Sequence, residues 1–254
     1  MGRVGSWLIA RVALCALAFV LSLWGAPTAL PGTPPVALGQ GVFGRVPILA
    51  YHNVDYSGSA FSVTPEQLDE QCRWLVDNGY TAITLGQFWE AATGLGKLPP
   101  NPVVLTNDDG WSSAMTFAEV LARYGLPGTY FINNVSPLTP DQILALAQSG
   151  AVEAHTVSHA HLAGLDYESQ LAEIVQNKTY LEQITGQPIR FLAWPFGESN
   201  ESAVQAAAAA GIFGAFGLDG AAADLGAINP YQIPRIMMVV EDDLAMFAAK
   251  VGGW

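Results

Sequence analysis

Cysteine is scarce in this chain of 254 residues: there are two, Cys15 and Cys72, too few for a disulfide framework. Charge is scarce and one-sided, with 13% charged residues and ten Lys plus Arg against 22 Asp plus Glu, a formal net charge of −12. Such a surface repels phosphate backbones and anionic headgroups, so nucleic acid is excluded as an expected partner. Histidine occurs only at positions 52, 155, 159 and 161. No Gly-rich dinucleotide turn is present. Apolar residues are abundant, at 51%, enough for the core of one large domain.

The first 39 residues are of a different kind. Arg3 and Arg11 flank the start of an apolar run, Val12 to Trp24, followed by a Pro, Gly and small-residue tract ending in Ala37-Leu38-Gly39. The uninterrupted run is 13 residues, against roughly 20 for a membrane-spanning helix. Residues 1–39 therefore read as an export signal with a short linker, and the product as exported, to the extracellular space or the cell envelope. The alternative is an uncleaved anchor over residues 4–30, the only case in which a membrane is a partner. Without this segment two of the ten cations are lost and none of the 22 acids. Cys72 is then the sole cysteine, and it falls on the apolar face of an expected helix as a small buried hydrophobe.

From Val46 onward, short β-rich runs alternate with amphipathic helical patterns. Strands are expected at Val46–Tyr51, 81–84, 103–106, 129–133, 151–154, 191–194, 213–216 and 233–240. Thr64-Pro65-Glu66-Gln67 is a capping box with proline at the first helical position, and Leu68, Cys72, Leu75 and Val76 follow on one face. Further helices are expected near 87–92, 113–124, 140–148 and 167–185, with Asn200 capping an alanine-rich one. No linker or repeat interrupts residues 40–254, which read as a single α/β domain, an incomplete (β/α) barrel; an open doubly wound sheet is the alternative. In a barrel, reactive residues stand at the C-terminal ends of strands. His52, Asp108, Asp109, His155 and Pro195 to Gly197 all do so.

Asp108 and Asp109 close the stretch VVLTNDDG. Two adjacent carboxylates at a strand end need a metal, a cationic partner or a proton to relieve their repulsion, unless they form a solvated turn. His155 and His159 are four residues apart, a spacing that on a helix puts both imidazoles on one face. With one aspartate they supply three ligands and leave positions open, as catalytic zinc and related divalent sites require.

In order along the chain, Thr106-Asn107-Asp108-Asp109-Gly110 and His155 to His159 resemble the two metal motifs of the NodB-type polysaccharide deacetylases, carbohydrate esterase family 4. The segments Pro47 to Val54, Gly125 to Phe131, Phe191 to Gly197 and Ile233 to Ile236 resemble its poly-β-1,6-N-acetylglucosamine N-deacetylase branch. The resemblance covers residues 46 to about 240. It implies a distorted, incomplete barrel and removal of N-acetyl groups from an N-acetylglucosamine-containing polysaccharide or oligosaccharide. It also implies one divalent metal, zinc first, with cobalt, nickel or iron as alternatives. By position, Asp109, His155 and His159 are the implied metal ligands, Asp108 the general base and His52 the general acid.

The turn Trp194-Pro195-Phe196 is implied to supply an oxyanion-binding backbone N–H, that of Phe196, and to line the substrate groove. Arg235 is a candidate for orienting the base. Two features depart from the family pattern: Asn107 stands where an apolar residue is usual, and no arginine precedes Pro195 in the third motif. Peptidoglycan or chitin-type oligomers are alternative substrates, and a catalytically silent carbohydrate-binding relative is the alternative from another class.

Overall fold

The computed structural model describes residues 44–253. The expected export signal or anchor over residues 1–39, with Cys15, lies outside them. Among the described residues no helix is long and apolar enough to cross a membrane.

Eight parallel strands form one curled sheet: β1 (Ile48–Tyr51), β2 (Thr81–Ala82), β3 (Pro102–Asn107), β4 (Gly128–Ile132), β5 (Gly150–Ala154), β6 (Phe191–Ala193), β7 (Gly214–Phe216) and β8 (Ile236–Met237). Their spatial order is β7-β6-β5-β4-β3-β1-β8, with β2 lying against the start of β3. Sequential βα units with parallel pairing are what the alternating pattern requires. The barrel is incomplete because β8 is two residues long where a strand over 233–240 was expected. Pro234 lacks the N–H a ladder needs. On its two sides Ile233 bridges to Phe216 and Ile236 pairs with Leu49, so this segment spans the gap between the outer strands without a continuous ladder.

Among the described residues, seven helices pack around the sheet: α1 (Pro65–Asp77), α2 (Leu85–Ala92), α3 (Ala114–Arg123), α4 (Pro140–Ser149), α5 (Tyr167–Thr185), α6 (Glu201–Ala209) and α7 (Leu244–Gly252). Thr64, Thr84 and Thr139 begin α1, α2 and α4 with reciprocal capping boxes to Gln67, Gln87 and Gln142, each worth about 1 kcal/mol. Asp166, Asn200 and Asp243 cap α5, α6 and α7. The α7 helix was not foreseen. On α1, Leu68, Cys72 and Leu75 are buried as expected, whereas Val76 is half exposed. Burial pushes the Cys72 thiol up to about 12, which leaves it an inert hydrophobe.

Strand parity sorts the core into two layers. Ile48, Val104, Phe131, Phe191, Ala193 and Phe216 point into the barrel. Leu49, Leu105, Ile132, Leu192 and Ala215 point outward to the helices. Period two then carries Thr106 and Asp108 inward and Asn107 outward. Asn107 consequently meets the helix layer, where its Nδ2 donates to the backbone oxygen of His52 at 2.7 Å. The polar residue at this motif position is a strap between β3 and the end of β1. Its Oδ1 is buried without a partner.

Candidate active site

Asp108 continues the β3 ladder, its N–H donating to Tyr51 O at 2.8 Å. The side chain is fully buried and enters the barrel. There it meets Arg235, which the Ile233–Met237 segment carries into the centre. Nη1 and Nη2 donate to Oδ1 and Oδ2 at 2.7 Å each. The guanidinium also donates to Thr106 Oγ1 at 3.1 Å and to Gly217 O at 3.0 Å, and lies 5.2 Å from the centre of the Phe131 ring. Burial opposes ionisation of Asp108, but the charge and hydrogen bonds of Arg235 outweigh it and hold the carboxyl below its ordinary range. The cation that relieves Asp108 is therefore internal.

Asp109 turns the other way because its own φ is 71° and that of Gly110 is 69°. Gly110 is obligatory there: a Cβ would stand 2.8 Å from Ser136 Oγ and 2.9 Å from Ile132 Cγ2. Asp109 Oδ1 lies 3.1 Å from His155 Nε2 and 3.1 Å from His159 Nε2. Its Oδ2 accepts from Trp111 Nε1 at 3.0 Å. The two aspartates thus face different partners although they are neighbours in sequence.

The histidine pair is not on a helix. His155 directly follows β5 and His159 sits further along the same loop, where Thr156 and His159 both have positive φ, 68° and 57°. For a β-branched threonine this conformation is unfavourable. The loop is held from α5. Asn177 accepts from the His155 N–H at 2.9 Å and donates to Ile132 O at 2.9 Å. Glu173 accepts from the Ser158 N–H at 2.8 Å and its hydroxyl at 2.7 Å. Sequence reasoning did not find Glu173 and Asn177; the available signal was polar residues at 170, 173 and 177 on the inward face of α5.

The donor atoms fit a cation. His155 Nδ1 is 2.8 Å from the Ala193 carbonyl oxygen, which only accepts, so Nδ1 carries the hydrogen. In neutral His155 the Nε2 lone pair then points at a carboxylate oxygen 3.1 Å away. That contact requires a second proton on the ring or a cation between the two atoms. Burial lowers the His155 pKa, but the hydrogen bond to Asp109 and both nearby carboxylates outweigh it and raise it. Burial likewise raises Asp109, and the two imidazoles overcome it and hold the carboxyl far below its usual range. Ligand atoms of Asp109, His155 and His159 all lie within 4.8 Å of one another. A divalent ion with open positions suits this N₂O set.

His52 follows β1. Its ring packs 5.7 Å from Phe61 and its Nδ1 is buried without a partner. Burial lowers its pKa, partly offset by Asp108 and Asp109. Phe196 stands at φ 59°. Its half-exposed ring meets His159 edge-on at 4.7 Å and stacks on His161 at 3.7 Å. Pro195 is buried. Trp194 corrects the expectation of a lining aromatic. It is 1% exposed and its Nε1 donates inward to Tyr231 O at 2.9 Å, so the indole belongs to the core. A cleft of about 620 Å³ opens elsewhere, where Gly150 begins β5 and Phe191 begins β6, between Glu153 and Arg190. None of the clustered residues lines it.

Residues 96–214 match the family model for polysaccharide deacetylase. The chain is 31% identical over 170 residues to YxkH of Bacillus subtilis (strain 168), provisionally named a polysaccharide deacetylase, with 64% of this chain and 61% of that protein covered. It is 29% identical over 199 residues to the poly-β-1,6-N-acetyl-D-glucosamine N-deacetylase of Staphylococcus epidermidis, covering 70% and 68%. The match to the Escherichia coli (strain K12) protein of that name is 23% identical and covers 80% of this chain but 38% of the relative. The chain thus spans less than two thirds of the YxkH and E. coli proteins.

Among solved structures, the Streptococcus pyogenes deacetylase PplD superposes with a TM-score of 0.77 at 21% identity, covering 83% of this chain and 99% of that one. IcaB from Ammonifex degensii gives 0.73 at 20%, covering 82% and 97%. These likenesses are of fold, and the half-barrel is common to them. Residues 96–214 are thus similar to polysaccharide deacetylase domains, on a half-barrel that the chain shares with the solved deacetylases.

Proposed function

We propose that this chain is a hydrolase of amide bonds that removes N-acetyl groups from an N-acetylglucosamine-containing polysaccharide, of the poly-β-1,6-linked kind. The observation that carries the reading is the division of the Asp pair: Asp109 shares one oxygen with His155 and His159, while Asp108 is held ionised by Arg235. The names of the S. epidermidis and E. coli relatives support the substrate class. The leader-like residues 1–39 support export.

Asp109, His155 and His159 would hold one divalent ion, with zinc favoured by the N₂O donor set. Such an ion supplies Lewis-acid polarisation at an acetamide carbonyl. Asp108 accepts the proton of the attacking water. Each carboxylate oxygen spends one lone pair on Arg235 and retains another, and the bidentate clamp fixes the plane in which it is offered. Arg235 is a positioning residue. The N–H of Phe196 faces the oxygen that gains charge; Pro195 has no N–H to offer. His52 protonates the departing amine, because an unprotonated amide nitrogen is a poor leaving group.

The test uses the purified domain from residue 40 with β-1,6- and β-1,4-linked N-acetylglucosamine oligomers, with and without chelator. Acetate release that needs a divalent ion, and that falls about 10²- to 10⁴-fold in Asp108→Asn, is the expected result. Oligomer binding without acetate release under any metal would instead make the chain a carbohydrate-binding relative.

A further inference from the structure

Asn133 directly follows β4 and shares the inward parity of Phe131. It is 4% exposed, yet its Oδ1 is buried without a partner and, among the described residues, its side chain makes no hydrogen bond. Its neighbour Asn134 is, by contrast, bonded to Asn177. Asn133 lines a pocket of about 170 Å³ together with Asp109, Trp111, Val135, Ser136, Pro137 and His159. The Ser136 hydroxyl is committed elsewhere, donating to Gly110 O and accepting from the Leu138 N–H. Trp111, Val135 and Pro137 are apolar walls. An uncommitted amide therefore lies in a small, largely apolar pocket, two of whose walls belong to the Asp109-His155-His159 cluster.

An unpaired buried polar group is destabilising, and native proteins keep few of them. Where one survives beside a reactive cluster, a ligand group is its natural partner. We propose that Asn133 is a specificity-determining residue that hydrogen-bonds a hydroxyl group of the sugar bearing the acetamido group. The inference rests on the deacetylase reading. A group engaging Asp109 and His159 has its own substituents beside this pocket. An amide both donates and accepts, as a hydroxyl does. An anionic substituent is disfavoured by Asp109, and an acetyl methyl satisfies the apolar walls but leaves the amide unpaired.

The test compares wild type with Asn133→Leu, which is nearly isosteric, and Asn133→Ser, all zinc-loaded. Oligomer affinity is measured by calorimetry, and kcat/KM is measured for the oligomer and for an aryl acetate that lacks the sugar. Both variants are expected to unfold at or above the wild-type temperature. They are expected to bind oligomer about tenfold more weakly, as loss of one hydrogen bond to a hydroxyl predicts, with a loss in kcat/KM about tenfold greater for oligomer than for aryl acetate. An oligomer of the matched deoxy sugar should bind wild type and Asn133→Leu alike.

Lower unfolding temperatures with equal losses on both substrates would make the amide structural and overturn the proposal. Unchanged oligomer affinity would overturn it too, leaving a water site. A wild-type chain that binds oligomer but hydrolyses neither substrate refutes the deacetylase reading alone, since the affinity comparison still decides Asn133.

Discussion

Arg235 and Asp108, 127 residues apart in sequence, meet in the barrel centre through two parallel bonds of 2.7 Å, Nη1 to Oδ1 and Nη2 to Oδ2. Both side chains are almost wholly buried. Removing one partner strands the other as an uncompensated buried charge, so Arg235→Met should destabilise the fold by about 3–5 kcal/mol in denaturant unfolding. Adding Asp108→Leu should restore most of that stability and none of the turnover. A double variant as unstable as the single one would show that Arg235 acts through Gly217 and Thr106 rather than through Asp108.

Cation binding should be visible without turnover. Zinc at 100 times its Kd should stabilise the wild-type chain by about 2.7 kcal/mol through mass action, read as a rise in Tm that chelator reverses. Asp109→Asn and His155→Gln should each abolish most of this rise, since each removes one of three ligands. An undiminished zinc-induced rise in both variants would place the ion elsewhere.

Activity should favour acid conditions. Burial lowers the His52 pKa below its ordinary 6.5, so the protonated form that donates to a leaving amine is lost as pH rises through that lowered value. The alkaline limb of kcat/KM, which reports the free enzyme, should therefore begin below 6.5. Asp108, held below its usual range by Arg235, stays ionised through the same window and contributes no limb there. His52→Gln should remove the limb and lower kcat about 10²- to 10⁴-fold. A flat profile from pH 5 to 8 in wild type would exclude His52 as the acid.

Glu153 offers a stability test away from the site. Burial pushes its carboxyl up to about 8, against which the N–H groups of Phe191 and Arg190, both bonded to Oε2 at 2.8 Å, act only in part. Between its ordinary 4.5 and about 8 the folded chain keeps a proton that the unfolded chain has lost, so stability declines as pH rises through this window. Glu153→Gln keeps an acceptor for both N–H groups and carries no charge. It should stabilise the chain at pH 8 by on the order of a few kcal/mol and make little difference at pH 4, in urea titrations at both pH values.

Local physics was readable from the chain. The Thr64–Gln67 box marks the start of α1, and the structure shows the same box at the starts of α2 and α4. The long helix expected over 167–185 is α5, which stops at Gly186 with φ 65°. Alternation of apolar runs and helices specified the parallel βα plan. Placement just after strands holds for Asp109 and His155, and for His52 and Asp108 on neighbouring strands. Each of these depends on interactions within a few residues or on a repeated unit, so the order of residues is sufficient to show them. The last strand and α7 were harder. A β-rich run at 233–240 forms only two paired residues, because Pro234 breaks the ladder and both neighbouring strands compete for the segment.

What the chain order left open was partnership across distance. Whether Trp194 faced sugar or core, whether Arg235 reached Asp108, and why Asn107 replaces an apolar residue all depended on strand parity in the curled sheet. Two positive φ values in the His155–His159 loop made a site from a spacing that suggests a helix. The reason is the same throughout. A side chain's direction follows from its strand's register and the backbone angles at each turn, and its charge state follows from what packs against it. Both are set only when segments far apart in sequence close on one another.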